Sequence, residues 1–232
     1  MSTTSRTKVT LLLAAGPAVG ELRERLAGER ELLAERVPQG AVAIAGIGVD
    51  DRAPKAALTA EERDGYDQAG YAGALSVAGR AGLADELTAA LEGAAARLGD
   101  AIDARASVAV AGTEETFIAG DGPLGGLFAV RRPADRTLQQ MHDFWRLEHT
   151  KLSMLIPDFV YRQFHGVDYA SERAAAVAGV GGHDVDGIVE WFFDSLAWQA
   201  RLAELPLMTE LYVDERNFID HERSPISYVE YL

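Results

Sequence analysis

The order of predicted elements occurs twice along the chain, and this repeat limits the possible fold more than any other feature of the 232 residues. Two-residue alternation and three-to-four-residue periodicity place a strand at 8–14, a helix at 18–36 and strands at 41–49 and 71–79. A helix at 83–98 and a strand at 106–112 complete the first pass. The second pass reads strand 125–132, helix 138–156, strands 159–167 and 187–193, helix 196–205 and strand 226–232. Pro38 and Pro157 each stop the first helix of a pass, because proline cannot continue the hydrogen-bonded ladder. Ile102-Asp103 and Ile219-Asp220 each precede a last strand, followed at equal spacing by Ser107 and Ser224. Both passes are βαββαβ. The expected fold class is therefore α+β, with two tandem ferredoxin-like units, residues 1–118 and 119–232. An apolar sheet face must be covered, so the two sheets are expected to face each other as an intramolecular version of the dimeric α+β barrel. Helices would coat the outside, with space for a cavity between helices and sheet.

A formal charge of −14 and an isoelectric point near 4.7 argue against nucleic acid or anionic membrane as partners. The chain has no cysteine, which removes disulfides, thiolate catalysis and cysteine metal sites and suits a cytoplasmic location. The apolar run after Arg6 and Lys8 is short and leads into a charged stretch, so it reads as a first strand rather than a signal peptide. No segment approaches the ~20 apolar residues of a membrane-spanning helix. One copy or a homodimer is expected, with Tyr228 and Tyr231 of the final strand available for pairing.

Chemistry-bearing residues concentrate in the second pass. Thr137 and Gln140 fit a capping box at the start of its first helix. Leu138, His142, Trp145, His149, Leu152 and Ile156 form one stripe of that helix, apolar apart from the two histidines. An imidazole in an apolar pocket can move a proton near neutral pH, so His149 is the candidate base; the plainer alternative is a core histidine bonded to a strand carbonyl. His142, nearer the helix start, closes the pocket or serves structure alone. On the following strand Tyr161, Gln163 and His165 share one face, suited to bind or polarise a carbonyl oxygen, or simply to form a solvated or interdigitating strand face. Tyr161 and His165 join His149 as catalytic candidates. His142, Trp145, Gln163, Glu190 and Trp191 are the expected ligand contacts, with Glu190 either a buried carboxylate or turned outward. Aligning the two passes on their prolines puts Arg30, Val42, Ile44 and Gly46 where His149, Tyr161, Gln163 and His165 stand, so only one half is expected to carry a site. The five histidines show no metal-binding spacing, no glycine-rich nucleotide loop has the right context, and no nucleophile elbow is present. No metal or cofactor is called for.

The stretch RRPADRTLQQMHDFWRLEHTKLSMLIPDFVYRQFHGVD, with VDGIVEWFFDSLAWQARL and DERNFIDHERSPISYVEYL, resembles the EthD family over the second half. His149 is the residue that matches the family's helix histidine. The resemblance implies action on a small hydrophobic, aromatic or polyketide-like molecule. A cofactor-independent lyase, isomerase or cyclase acting on a carbonyl compound is the leading expectation. A non-catalytic binding or accessory protein for an oxygenase, and an oxidoreductase or oxygenase that could hold haem through His149, are the alternatives.

Overall fold

Every strand among the described residues has a hydrogen-bonded neighbour on both edges. The computed structural model describes residues 4–49 and 69–232; most of the loop expected between the second and third strands lies outside the described residues. Eight strands, β1 (Thr4–Ala15), β2 (Val42–Gly48), β3 (Gly73–Gly79), β4 (Ile102–Ile118), β5 (Leu124–Val130), β6 (Val160–Gly166), β7 (Gly187–Phe193) and β8 (Ile226–Tyr231), close into one barrel. Its order is β1-β3-β2-β8-β5-β7-β6-β4, with antiparallel pairing throughout. The first four strands thus run β4-β1-β3-β2 and the last four β8-β5-β7-β6. The two sets meet where β2 pairs with β8 and β4 with β6. Closure leaves no free edge, which corrects one expectation: β8 is paired on both sides, so Tyr228 and Tyr231 do not offer an edge for a second chain.

Helices lie outside the barrel: α1 (Leu22–Arg36), α2 (Ala84–Ala90), α3 (Ala94–Leu98), α4 (Leu138–Phe144), α5 (Thr150–Ser153), α6 (Asp168–Ala178), α7 (Leu196–Ala203) and α8 (Pro206–Glu215). The expected helix at 83–98 is divided into α2 and α3 by Gly93, which takes a left-handed φ of 67°. The capping box forms as expected, Thr137 accepting from the Gln140 amide and Gln140 from the Thr137 amide. Two helices were not foreseen. α6 occupies a stretch that reads as an Ala/Gly-rich loop; Ala174, Ala175 and Ala178 pack into the first-half core and Ser171 accepts from the Ala111 amide of β4. α8 follows the expected final helix and starts with proline at its first turn, where the missing N–H costs nothing. No helix among the described residues is long and apolar enough to cross a membrane.

Strand alternation produces three cores. On the outer face of the first four strands, Leu22, Leu26 and Leu33 of α1 pack with Leu11, Leu75 and Val77, all fully buried. Each such side chain contributes about 1.5–3 kcal/mol by leaving water. On the outer face of the last four strands the filling is mostly aromatic: Phe128, Trp145, Tyr161, Trp191, Tyr212 and Phe218. The lumen holds Leu12, Val110, Leu127, Phe164 and Ile188 together with a charged network. In that network Lys8 Nζ lies 2.6 Å from Glu114 and 2.7 Å from Glu190, Arg6 is 2.6 Å from Glu114, and Tyr231 donates to Glu190 at 2.8 Å.

The proline alignment of the two passes slips by one residue at the second strand. Ala43, Ala45 and Ile47 face the helices, whereas Ile44 and Gly46 line the lumen and Val42 is exposed. A shift of one reverses every face of a strand. The helix-facing counterparts are thus still apolar.

Candidate functional site

A single helix turn sets the geometry of the site. Between α4 and α5 the chain winds as a π-helix over Trp145–His149, and the Thr150 amide reaches back to the Trp145 carbonyl. The wide turn puts His149 and Thr150, adjacent in sequence, both on the buried side. Regular periodicity finds His149 and misses Thr150 and Ser153; such π-turns recur at functional sites.

A cavity of about 100 Å³ lies between this helix, α7, α8 and the outer faces of β5–β8. Phe128, Ile156, Phe159, Trp191, Leu211 and Tyr228 supply much of its wall. His149, Ser153, Tyr161, Gln199 and Glu215 are its polar lining. Of the eight residues singled out in the sequence, His149, Tyr161 and Trp191 line the cavity directly.

His149 is 4% exposed, and its partner is a carboxylate rather than a strand carbonyl: Nδ1 lies 2.9 Å from Asp214 Oδ2. A carboxylate on Nδ1 fixes the ring so that Nε2 is the nitrogen left for the cavity. Nε2 is 4.0 Å from Glu215 Oε1, and the other oxygen of Glu215 is 3.0 Å from His221 Nε2. Asp214, Glu215 and His221 all lie on or after α8, which the sequence reading left unassigned.

Trp145 and Gln163 stand one layer behind, holding Tyr161. The Trp145 indole donates to the Tyr161 hydroxyl at 3.0 Å and the Gln163 amide at 2.9 Å. The Gln163 orientation follows from its surroundings: the Trp145 carbonyl can only accept, so Thr150 donates to it at 2.9 Å and presents a lone pair to Gln163 Nε2 at 2.6 Å. Burial pushes the Tyr161 phenol up to about 12, against hydrogen bonds involving Gln163, Ser153 and Trp145 and with the Glu215 charge adding to the rise. Tyr161 is thus a neutral phenol whose oxygen accepts two hydrogen bonds, while its own proton faces Ser153, with which a ligand oxygen in the cavity would compete for it.

His165 does not reach the cavity, contrary to expectation. Its Nε2 lies 3.1 Å from Gln163 Oε1 and must donate to it, and its ring packs against Trp145 with centroids 4.8 Å apart. The buried Nδ1 has no hydrogen-bond partner among the described residues. Burial first, and then the neighbouring His142, hold its pKa down at about 2, so the ring is neutral. His142 takes the structural role: its Nε2 meets the Asp186 carbonyl at 2.9 Å and its ring sits edge-on to His165. Glu190 is buried but faces the lumen, because it alternates with Val189 and Trp191 along β7; it is not a ligand contact of this cavity.

Two glycines let the indoles lie flat. A Cβ on Gly126 would come within 2.1 Å of the Trp191 ring, and one on Gly187 within 2.7 Å of the Trp145 ring. Held across β5, Trp191 donates to Gln199 Oε1 at 2.7 Å.

Residues 134–222 match the EthD domain family. They carry His149, Tyr161, Asp214, Glu215 and His221, so these polar residues fall inside the matched stretch. No curated protein matches the chain. Among solved structures, an anthrone oxidase-like protein shares 11% identity over 100% of this chain and 94% of its own, with a TM-score of 0.60. A putative monooxygenase from Lactobacillus acidophilus NCFM (11% identity; 98% and 94% covered) gives 0.49, and a mutant chlorite dismutase from Candidatus Nitrospira defluvii (11%; 99% and 92%) gives 0.46. The likeness to the anthrone oxidase-like protein is one of fold, of the dimeric α+β barrel type that the repeat suggested.

Proposed function

We propose that this protein is a cofactor-independent enzyme that moves a proton on a small hydrophobic carbonyl compound, with His149 as base and Tyr161 as hydrogen-bond donor to the developing oxyanion. The observation that carries this is the Asp214–His149 pair on the wall of a cavity that also holds the Tyr161 hydroxyl. In the proposed step Nε2 of His149 takes a proton from the carbon beside the carbonyl. The C–H electron pair becomes the C=C bond of an enolate while the C=O π pair moves onto the oxygen, which accepts from Tyr161, and the imidazolium returns the proton to the same or another carbon. Positioned general bases contribute about 10²–10⁴-fold. Gln163, Trp145 and, through Gln163, His165 are positioning residues in this scheme. Haem is a poor fit, because a four-pyrrole macrocycle far exceeds about 100 Å³.

The test needs no native substrate. In deuterated buffer the protein is expected to speed exchange of the methyl protons of acetone, followed by NMR, and His149→Ala to lose about 10²–10⁴ of that acceleration. Asp214→Asn should lower the maximal exchange rate with the half-saturating concentration unchanged. Equal exchange by the folded His149→Ala protein removes the residue from the mechanism. Binding without exchange points instead to a carrier.

The anthrone oxidase-like neighbour supports a second reading in which the same deprotonation precedes oxidation. A ring CH₂ would become a carbonyl, one atom of dioxygen being retained and the other released as water. Oxygen uptake with a ketone small enough for the cavity of about 100 Å³ separates the readings. We also infer that the two four-strand sets are tandem ferredoxin-like units, divided at residues 118 and 119. Their matching strand orders support this.

A further inference from the structure

A hydrogen-bond donor without an acceptor stands on the wall of the cavity. Gln199 lies one turn into α7, whose start is fixed by Ser195 accepting from the Trp198 amide at 3.2 Å. Leu202 follows three residues later on the same helix face, and both residues line the cavity. The Gln199 side chain is held at one end only. The Trp191 indole can donate but not accept, so the atom 2.7 Å from it is the carbonyl oxygen Oε1, and the two N–H bonds of Nε2 are left for other partners. Gln199 is 5% exposed, and among the described residues nothing accepts from Nε2. A buried amide N–H without an acceptor is costly, and a ligand oxygen in the cavity would remove that cost.

The other neutral donor on this wall is less free. Tyr161 shares its proton with Ser153, whereas Gln199 gives up no existing bond by donating into the cavity. An amide also keeps its protons, so it can stabilise a developing oxyanion without entering the proton transfer between carbon and His149. Negative charge grows on the carbonyl oxygen as the C–H pair becomes the C=C bond, and a donor already in place acts most strongly on that charge. Size limits the ligand. A dry cavity of roughly 150 Å³ accepts the six carbons of benzene, roughly 25 Å³ each. At that allowance about 100 Å³ seats about four non-hydrogen atoms, the size of acetone. We propose that Gln199 is a catalytic residue whose Nε2 donates to the carbonyl oxygen of a ketone of about that size, forming a two-donor oxyanion site with Tyr161. The catalytic part rests on the proton-transfer reading of the cavity; the hydrogen bond to the ketone does not.

Gln199→Met keeps the length of the side chain and removes the donor, and two measurements on the full chain at pH 7.5 test it. In deuterium exchange of acetone the maximal rate is expected to fall about 10²–10³-fold, the usual loss on removing one oxyanion-hole donor, with the half-saturating concentration changed far less. In carbon NMR titrations with acetone labelled at the carbonyl, extrapolated to saturation, the bound resonance should lie further downfield on the unaltered protein than on Gln199→Met. The proposal is overturned if acetone does not bind, if the folded variant exchanges as fast as the unaltered protein, or if the two bound resonances coincide. Should Gln199→Met not fold, the Gln199 side-chain amide protons of the unaltered protein decide alone: acetone should move them, and unmoved resonances overturn the proposal. A carbonyl shift lost in the variant, on a protein that does not exchange acetone, would refute the proton-transfer reading and leave Gln199 as the ketone's donor. Exchange that is equally fast in both proteins would do the reverse.

Discussion

Replacing Lys8 with methionine should destabilise the barrel by about 3–5 kcal/mol, the usual cost of removing one partner from a buried ion pair. The lysine is 3% exposed and lies against two carboxylates contributed by different strand sets, Glu114 on β4 and Glu190 on β7. Burial alone would raise the Glu114 pKa; Lys8 and Arg6 outweigh it and hold the carboxyl near 2. Lowered carboxylate pKa values stabilise the fold above the ordinary carboxylate range, and that contribution fades as pH falls towards the folded value. Without Lys8, Glu114 keeps Arg6, and Glu190 keeps Tyr231 and an Arg162 nitrogen 3.9 Å away, so the loss is large without being total. With a urea slope of about 3 kcal/mol/M, the midpoint at pH 7 should fall by roughly 1–1.7 M, and the acid limb of the stability curve should begin at higher pH. The double variant Lys8→Met/Glu190→Gln should recover part of the loss, because one orphaned charge is gone. Tryptophan fluorescence in urea follows all three proteins. A Lys8→Met midpoint within 0.3 M of the unaltered protein, corresponding to roughly 1 kcal/mol on the same slope, would refute this account of the lumen.

Two further outcomes follow from the site. Gly126→Ala places a methyl 2.1 Å from the Trp191 ring, so the indole must turn away from Gln199; about 1–3 kcal/mol of stability and the affinity for acetone should fall together, and unchanged binding would show that Trp191 does not shape the wall. His165 is held neutral with a pKa near 2, so below pH 6.5 the unfolded chain takes up a proton that the folded chain refuses. Stability should therefore drop by about 2–3 kcal/mol between pH 6.5 and 4.5 on this account, and His165→Asn should flatten that interval relative to the unaltered protein; parallel curves would place the titration elsewhere.

The strands were legible as short apolar runs bounded by glycine and proline, and β7 lies at the residues expected, although β1 and β4 run longer than expected, over Thr4–Ala15 and Ile102–Ile118. So were Pro38, Pro157 and the Thr137 cap, since each acts through local backbone chemistry. α6 was not. Its buried stripe is alanine and serine, too weakly apolar to stand out from a loop, and it is secured by packing on the distant β4 and α2. α8 escaped for a different reason: its charged residues Asp214 and Glu215 look like a solvated surface until His149 and His221 are brought against them. Pro206 at a helix start was the available signal. The face of Glu190 was open in the sequence, because a strand inside a closed barrel is buried on both sides and alternation no longer separates core from solvent.

The layer between helices and sheet is built differently in the two halves, and side-chain shape accounts for the hollow in the second. In the first half, leucines from α1 meet leucine and valine from the sheet, and branched aliphatic chains close the space between helix and strands. In the second half the equivalent layer is built of rings, which stack and tilt at fixed separations: 5.4 Å for Phe159 with Tyr161, 6.0 Å for Trp191 with Tyr228. Rings cannot interdigitate as leucines do, and several are tethered by hydrogen bonds that would be lost if they moved to fill the gap. Converting Trp191 and Tyr161 to leucine would therefore remove the cavity's walls and the groups that order them in one step. The hollow persists because closing it would break the Trp145–Tyr161–Gln163 network as well as repack apolar surface.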